Sequence, residues 1–162
     1  MPRSKSRGKK YYPKPVSANA MEWAMAGAHL LPVAKRAEIF EPVAEACEAL
    51  RDGIASMAQW YTIDNGLRLS EALIGLNIGN NLAPAIRAGR EALNDVGERL
   101  RFTGSSTCRR TEFALIREST DLYRIQLGLC TQAEMSKAVR VVQNKITGAG
   151  VVTLQREEAC HA

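Results

Sequence analysis

From residue 17 onward the apolar positions recur every three or four residues, the spacing of helices that bury one face. Ser17 or Asn19 can cap a short helix running to about Ala28, with Met21, Trp23 and Met25 as its apolar content. Leu31-Pro32 reopens the chain. Pro42 then fits a first helical position after a brief lead-in, and Val43, Ala44, Cys47 and Leu50 form the stripe behind it. Gly53 stands where a helix gives way just past its C-cap. Ser56 and Gln59 have the spacing of a capping box. Trp60, Ile63, Leu67, Ser70 and Ile74 follow, with Leu69, Leu73 and Leu76 as a second row beside them. A helix with two apolar rows packs on more than one neighbour, which makes this the expected central helix. Asn65-Gly66 is turn-like, but the stripe keeps phase across it, so a continuous helix is predicted.

Asn80 or Asn81 opens the next helix, with Pro84 in its first turn. Leu82, Ile86, Gly89, Leu93, Val96 and Leu100 make a seam in which Gly89 permits a close helix approach. Thr103-Gly104-Ser105-Ser106-Thr107 reads as a loop. Phe113, Ile116, Thr120, Tyr123 and Leu127 form another seam, ending at Gly128. Thr131 and Glu134 supply a second capping box before Met135, Ala138, Val142 and Ile146. Gly148 and Gly150 are expected to end the helical region, leaving Val151–Leu154 as a short strand or packed extended tail. The predicted fold is all-α: a five- to six-helix antiparallel bundle with an extended basic arm. Its divisions are an arm over 1–16, a helical domain over 17–154 and a tail over 155–162.

At 162 residues, with 46% hydrophobic and 24% charged residues, the chain fits one globular domain. No apolar run approaches the roughly 18 residues of a membrane span, and no secretory pattern opens the chain, so a cytoplasmic setting without a membrane partner is expected. The charge changes the picture more. Arg3, Lys5, Arg7, Lys9, Lys10 and Lys14 place six of the 22 basic residues, and none of the 17 acidic ones, within residues 1–16. The arm is therefore +6 and the remainder −1, which together make the formal +5. Pro13, Pro15, Ser4, Ser6 and Gly8 give this stretch too little apolar surface to offset its ordering entropy. Tyr11 and Tyr12 sit among the lysines, and a base can stack on a tyrosine while lysines neutralise phosphates. The arm residues Arg3, Lys5, Arg7, Lys9, Lys10, Tyr11, Tyr12 and Lys14 are thus candidate nucleic-acid contacts. A solubilising tail and a contact with an acidic protein surface remain alternatives.

Catalytic chemistry is sparse. His29 and His161 are the only histidines, and neither joins a Ser/His/Asp arrangement. Cys47, Cys108, Cys130 and Cys160 are too widely spaced for a zinc motif, and Cys47 lies on an apolar stripe. Glu45 and Glu48 read as a solvated face, and Glu157-Glu158 fall in the tail. No glycine-rich loop is followed by a lysine-serine or lysine-threonine pair. No enzyme, cofactor or metal is expected. Arg87, Arg90 and Arg101 can share one polar face, with Arg109-Arg110 just after the loop, but Glu91 and Glu98 dilute it. Residues 112–147 have the spacing of a helix-turn-helix, which an antiparallel hairpin also explains.

The arm motif Lys9-Lys10-Tyr11-Tyr12-Pro13-Lys14-Pro15-Val16, together with Trp60 to Gly75, resembles small helical proteins encoded by bacteriophages and prophages. Those open with a basic tyrosine- and proline-containing stretch and later carry a tryptophan-led helix. Asn65-Gly66 departs from their uninterrupted helix. The resemblance implies a phage or mobile-element origin and an accessory protein that acts by binding, and carries over no functional residue. The expected function is non-enzymatic: the arm contacts nucleic acid or a host nucleoprotein complex, and the helical body binds a host protein or a second copy. Alternatives are a purely protein-binding inhibitor of a host factor and a DNA-binding regulator using residues 112–147.

Overall fold

The computed structural model describes Met25 and residues 27–159, with side chains to Thr147. Five long α-helices occupy these residues: α1 (Val33–Arg51), α2 (Met57–Ile74), α3 (Ala83–Thr103), α4 (Arg110–Leu129) and α5 (Gln132–Ala159). A 3-10 turn, Asn80–Leu82, leads into α3. The fold is an all-α bundle, as the periodicity predicts. The arm and the start of the helix expected from Ser17 or Asn19 lie outside the described residues; Met25, Gly27 and Ala28 are helical.

The local signals at the helix ends act as expected. Ser56 Oγ accepts from the Gln59 N–H at 3.3 Å while the Gln59 side chain accepts from the Ser56 N–H at 2.8 Å, closing the capping box that starts α2. Thr131 and Glu134 form the same reciprocal pair at the start of α5. Gly53 follows the C-cap Asp52 of α1 with φ +72°.

Four boundaries differ from expectation, the first being α3, which begins at Ala83 rather than at Asn80 or Asn81 because those residues form the 3-10 turn ahead of it. Helix α1 begins at Val33, capped by Pro32, so Pro42 lies inside it rather than at its first position. Pro42 is exposed, and the Glu38 carbonyl that it deprives of a helical donor also belongs to an exposed residue, where water can serve it. Helix α3 runs through Thr103, so the loop begins at Gly104. Helix α5 continues through Gly148 and Gly150 to Ala159, replacing the short strand or extended tail predicted at 151–154 and part of the tail at 155–162. A helical glycine costs about 1 kcal/mol relative to alanine, but it keeps its N–H and so leaves the hydrogen-bond ladder intact.

Contacts between named residues fix the helix directions. Trp60 meets Leu93 and Gly97, and Glu71 meets Arg90, so α2 and α3 are antiparallel. Arg99 meets Glu112, and Gly89 meets Ser119, so α3 and α4 are antiparallel as well. Gly66 meets Tyr123 and Ser70 meets Gln126, so α2 and α4 run the same way. Cys47 with Thr120, and Phe40 with Tyr123, set α1 against both. Helices α1 to α4 thus form an up-down-up-down bundle. Helix α5 starts at the end of α4 and runs back along α2, with Val142 and Lys145 beside Arg68 and Glu71. Residues 112–147 therefore do not pair as a hairpin, because α5 packs on α2 rather than α4. The buried Met135, Ala138 and Val142 stripe has its complement there.

Helix α2 touches every other long helix and is continuous across Asn65-Gly66. Asn65 faces solvent, and Gly66 faces inward, where an added Cβ would lie 3.2 Å from Val43 Cγ2. The dipeptide that reads as a turn is thus a place where α1 crosses closely. Gly89 plays the predicted part in the α3–α4 seam: a Cβ there would lie 2.1 Å from Ser119 Oγ and 2.8 Å from the Leu115 carbonyl.

Two stability outcomes follow. Gly89→Val should destabilise by at least about 2 kcal/mol, since the obstacle includes α4 backbone that cannot rotate away. The Tyr123 hydroxyl is buried without a hydrogen-bond partner, so Tyr123→Phe should be neutral or stabilise by about 1 kcal/mol. Urea unfolding of the two variants measures both, and a large loss in Tyr123→Phe would show that the hydroxyl is satisfied in solution.

Candidate binding groove

The predicted arm contacts Arg3, Lys5, Arg7, Lys9, Lys10, Tyr11, Tyr12 and Lys14 lie outside the described residues, so the site that the structure builds is in the body. Between the first half of α2 and the second half of α3 runs a groove of about 290 Å³, lined by Met57, Trp60, Tyr61, Asn94, Glu98 and Arg101, with Gly97 in its floor. Arg68 completes its lining.

Its aromatic wall is held from two sides. The Trp60 indole N–H donates to the Leu93 carbonyl at 2.8 Å, which fixes the ring against α3. Gly97 makes that approach possible: a Cβ there would lie 2.5 Å from Trp60 Cε2. Tyr61 then stands edge-on to Trp60, with centroids 5.0 Å apart at 78°, yet remains 54% exposed. Sequence periodicity places Trp60 on the core stripe and says nothing of Tyr61, which lies one residue off it.

Beyond Arg68 the α2–α3 interface carries a charged network absent from the sequence reading. The Asp64 side chain is only 2% exposed. It accepts from Arg68 Nε at 2.6 Å and from Arg90 Nε at 3.4 Å, while Arg90 also pairs with Glu71. The Glu71 carboxylate raises the Arg90 pKa above its ordinary value despite partial burial. The i, i+4 spacing of Asp64 and Arg68 was the available signal, and Asp64 sits among apolar positions of α2.

The basic residues singled out by sequence therefore divide. Arg90 is drawn inward as a structural ion-pair partner, whereas Arg87 stays exposed and Arg101 opens onto the groove. Arg109 caps α4: its backbone N–H donates to Glu112 at 2.8 Å, and Arg110 is exposed beside it. Glu112 is held by Arg99 through two hydrogen bonds at 3.0 and 2.5 Å. Glu45 is exposed, and Glu48 pairs with Arg51 at 2.5 Å.

The remaining candidate chemistry is dispersed. Burial pushes the Cys47 and Cys108 thiols up to about 11, against a weaker pull from Thr120 and Arg99 respectively, and burial raises Cys130 as well. All three thus stay protonated near neutral pH. The His29 carbonyl accepts from the Gln132 N–H at 3.1 Å, beside the bridge between Leu30 and Thr131. His161 and Cys160 lie outside the described residues. Among the described residues no group of three His, Cys, Asp or Glu side chains could hold a metal ion, and no helix is long and apolar enough to cross a membrane.

A second groove, of about 460 Å³, lies between α1 and α4 and is lined by Val33, Arg36, Ala37, Phe40, Glu41 and Arg124. The Arg124 guanidinium lies 5.8 Å from the centre of the Phe40 ring. Compared with known proteins, the chain matches no family model, no curated protein and no solved structure.

The Glu112 pair makes a pH prediction with a definite sign. Arg99, and then the Arg109 N–H, hold the Glu112 carboxyl below its ordinary value. A carboxylate with a depressed folded-state pKa stabilises above its unfolded value, about 4.3, and that share is lost as pH falls below it. Stability measured from pH 7 down to pH 3 should therefore fall less steeply in Glu112→Gln than in the native chain. Parallel curves would exclude Glu112 as a contributor. Asp64→Asn should cost about 2 kcal/mol at pH 7, less than for a fully dry pair because Arg68 reaches water.

Proposed function

We propose that the chain is a non-enzymatic accessory protein that works by binding, its basic arm engaging nucleic acid or a nucleoprotein complex and its helical body serving as a rigid protein-binding platform. The observation that carries this reading is the separation of charge, +6 within residues 1–16 against −1 for all the rest. The structure of the body adds support, because Arg51, Arg68, Arg90 and Arg99 are engaged by carboxylates within the body. The arm then holds the densest run of cations without an acidic neighbour, and phosphate contact releases counterions from a polyanion in proportion to the cations it uses. The phage or mobile-element setting belongs to this reading on the resemblance alone.

A second reading, a purely protein-binding inhibitor, is favoured by the groove between α1 and α4, where Val33 is 74% exposed. A sequence-reading role for residues 112–147 has less support, since α5 lies against α2 instead of standing clear as a recognition helix.

Fluorescence anisotropy with an unrelated duplex across a salt series tests the arm. Log affinity should fall with log salt with a slope of up to about −5 for six contacts. Replacing Arg3, Lys5, Arg7, Lys9, Lys10 and Lys14 by glutamine in the full chain should flatten that slope and leave thermal unfolding unchanged. An unchanged slope, or no binding by the native chain at low salt, would turn the assignment to the protein-binding reading.

A further inference from the structure

The α2–α3 groove brings together groups that the arm reading does not use. Tyr61 is a half-exposed ring whose position is set by a pinned Trp60, so it offers a stacking face at little entropic cost. Asn94 and Glu98 stand one turn apart on α3, and both line the groove. Arg101, three residues further, also lines it and, unlike Arg68, Arg90 and Arg99, makes no ion pair among the described residues.

A planar stacking surface, an amide, a carboxylate and an uncommitted guanidinium match the parts of a nucleotide. A small inorganic anion would leave the aromatic wall unused, and an aliphatic ligand would strand the charges of Glu98 and Arg101. The groove, at about 290 Å³, is at the small end of ligand pockets and is partly open to solvent, as a segment of a longer strand requires. A base within a duplex has both faces covered and cannot reach Tyr61; an unpaired one can.

We propose that this groove takes one unpaired base of a single-stranded nucleic acid, with Tyr61 stacking on it, Asn94 and Glu98 meeting its edge, and Arg101 on a flanking phosphate. This deepens the arm reading and rests on it for the longer-range attraction. Glu98 is an acceptor only, so it favours a base edge bearing an exocyclic amino group over thymine or uracil, whose single N3–H donor is flanked by two carbonyl oxygens that repel a carboxylate. Cytosine is accordingly preferred to thymine.

Anisotropy titrations of the full chain with oligo-dC, oligo-dT and a duplex of equal length test this. The native chain should bind oligo-dC about tenfold tighter than oligo-dT. Tyr61→Ala should lower oligo-dC affinity about tenfold and leave duplex binding unchanged, while Tyr61→Phe keeps the native affinity. Glu98→Gln should erase the preference for dC, and Arg101→Gln should reduce the single-strand salt slope by about 0.7. Unchanged oligo-dC binding in Tyr61→Ala, or an equal loss on the duplex, overturns the groove assignment. If the six arm substitutions still weaken binding in that event, the arm reading survives it. If they are silent while Tyr61→Ala weakens oligo-dC binding, the arm reading falls and the groove stands.

Discussion

Helix α2 is the element on which the bundle is assembled, with Ala58, Tyr61 and Asn65 left facing solvent. Four other long helices pack against it, so each polar group it carries inward must meet a partner held in one place. Asp64 and Ser70 are the consequences. Asp64 is nearly dry and is met by Arg68 from its own helix and by Arg90 from α3. Ser70 donates to Gln126 of α4, whose amide in turn donates to the Ile78 carbonyl at 2.9 Å, tying α4 to the turn beyond α2. A slip of α2 by one residue would break both sets, so these polar contacts specify register where Leu67, Leu73 and Ile63 supply burial.

The same constraint shapes the groove. Because α2 is fixed against α3 by the Asp64–Arg90 contact and by Trp60 on Leu93, the stretch between them holds its width without a ligand. Further along, Val142 and Lys145 of α5 line a separate cavity with Arg68, Glu71 and Arg90. The stretch around Tyr61 has its own lining and opens to solvent. A binding surface presented on helices in this way is more rigid than one built from loops, and exposed aromatics on it are pre-positioned.

The two charge systems of the chain do different work. Within the body, whose net charge is −1, arginines are drawn into pairs with Asp64, Glu71 and Glu112, which fixes helix contacts. The arm carries cations with no acidic neighbour. A linear sequence shows the second system directly, since it needs only a count over sixteen residues. The first depends on which helix faces which, and Arg90 is indistinguishable by sequence from Arg87 three residues earlier.

The helices, most of their caps and the central place of α2 were legible because 3.6-residue periodicity and capping boxes are local signals. Proline and glycine misled at Pro42, Gly148 and Gly150, where a local penalty was smaller than what a continuous helix retains. The course of α5 along α2, the burial of Asp64 and the exposure of Tyr61 were decided only by tertiary packing. Each depends on contacts between residues more than twenty positions apart, or on which of two adjacent residues a neighbouring helix covers. The sequence by itself determined what segments would be helical and where charge would gather; packing decided which polar side chains became struts and which remained free to bind.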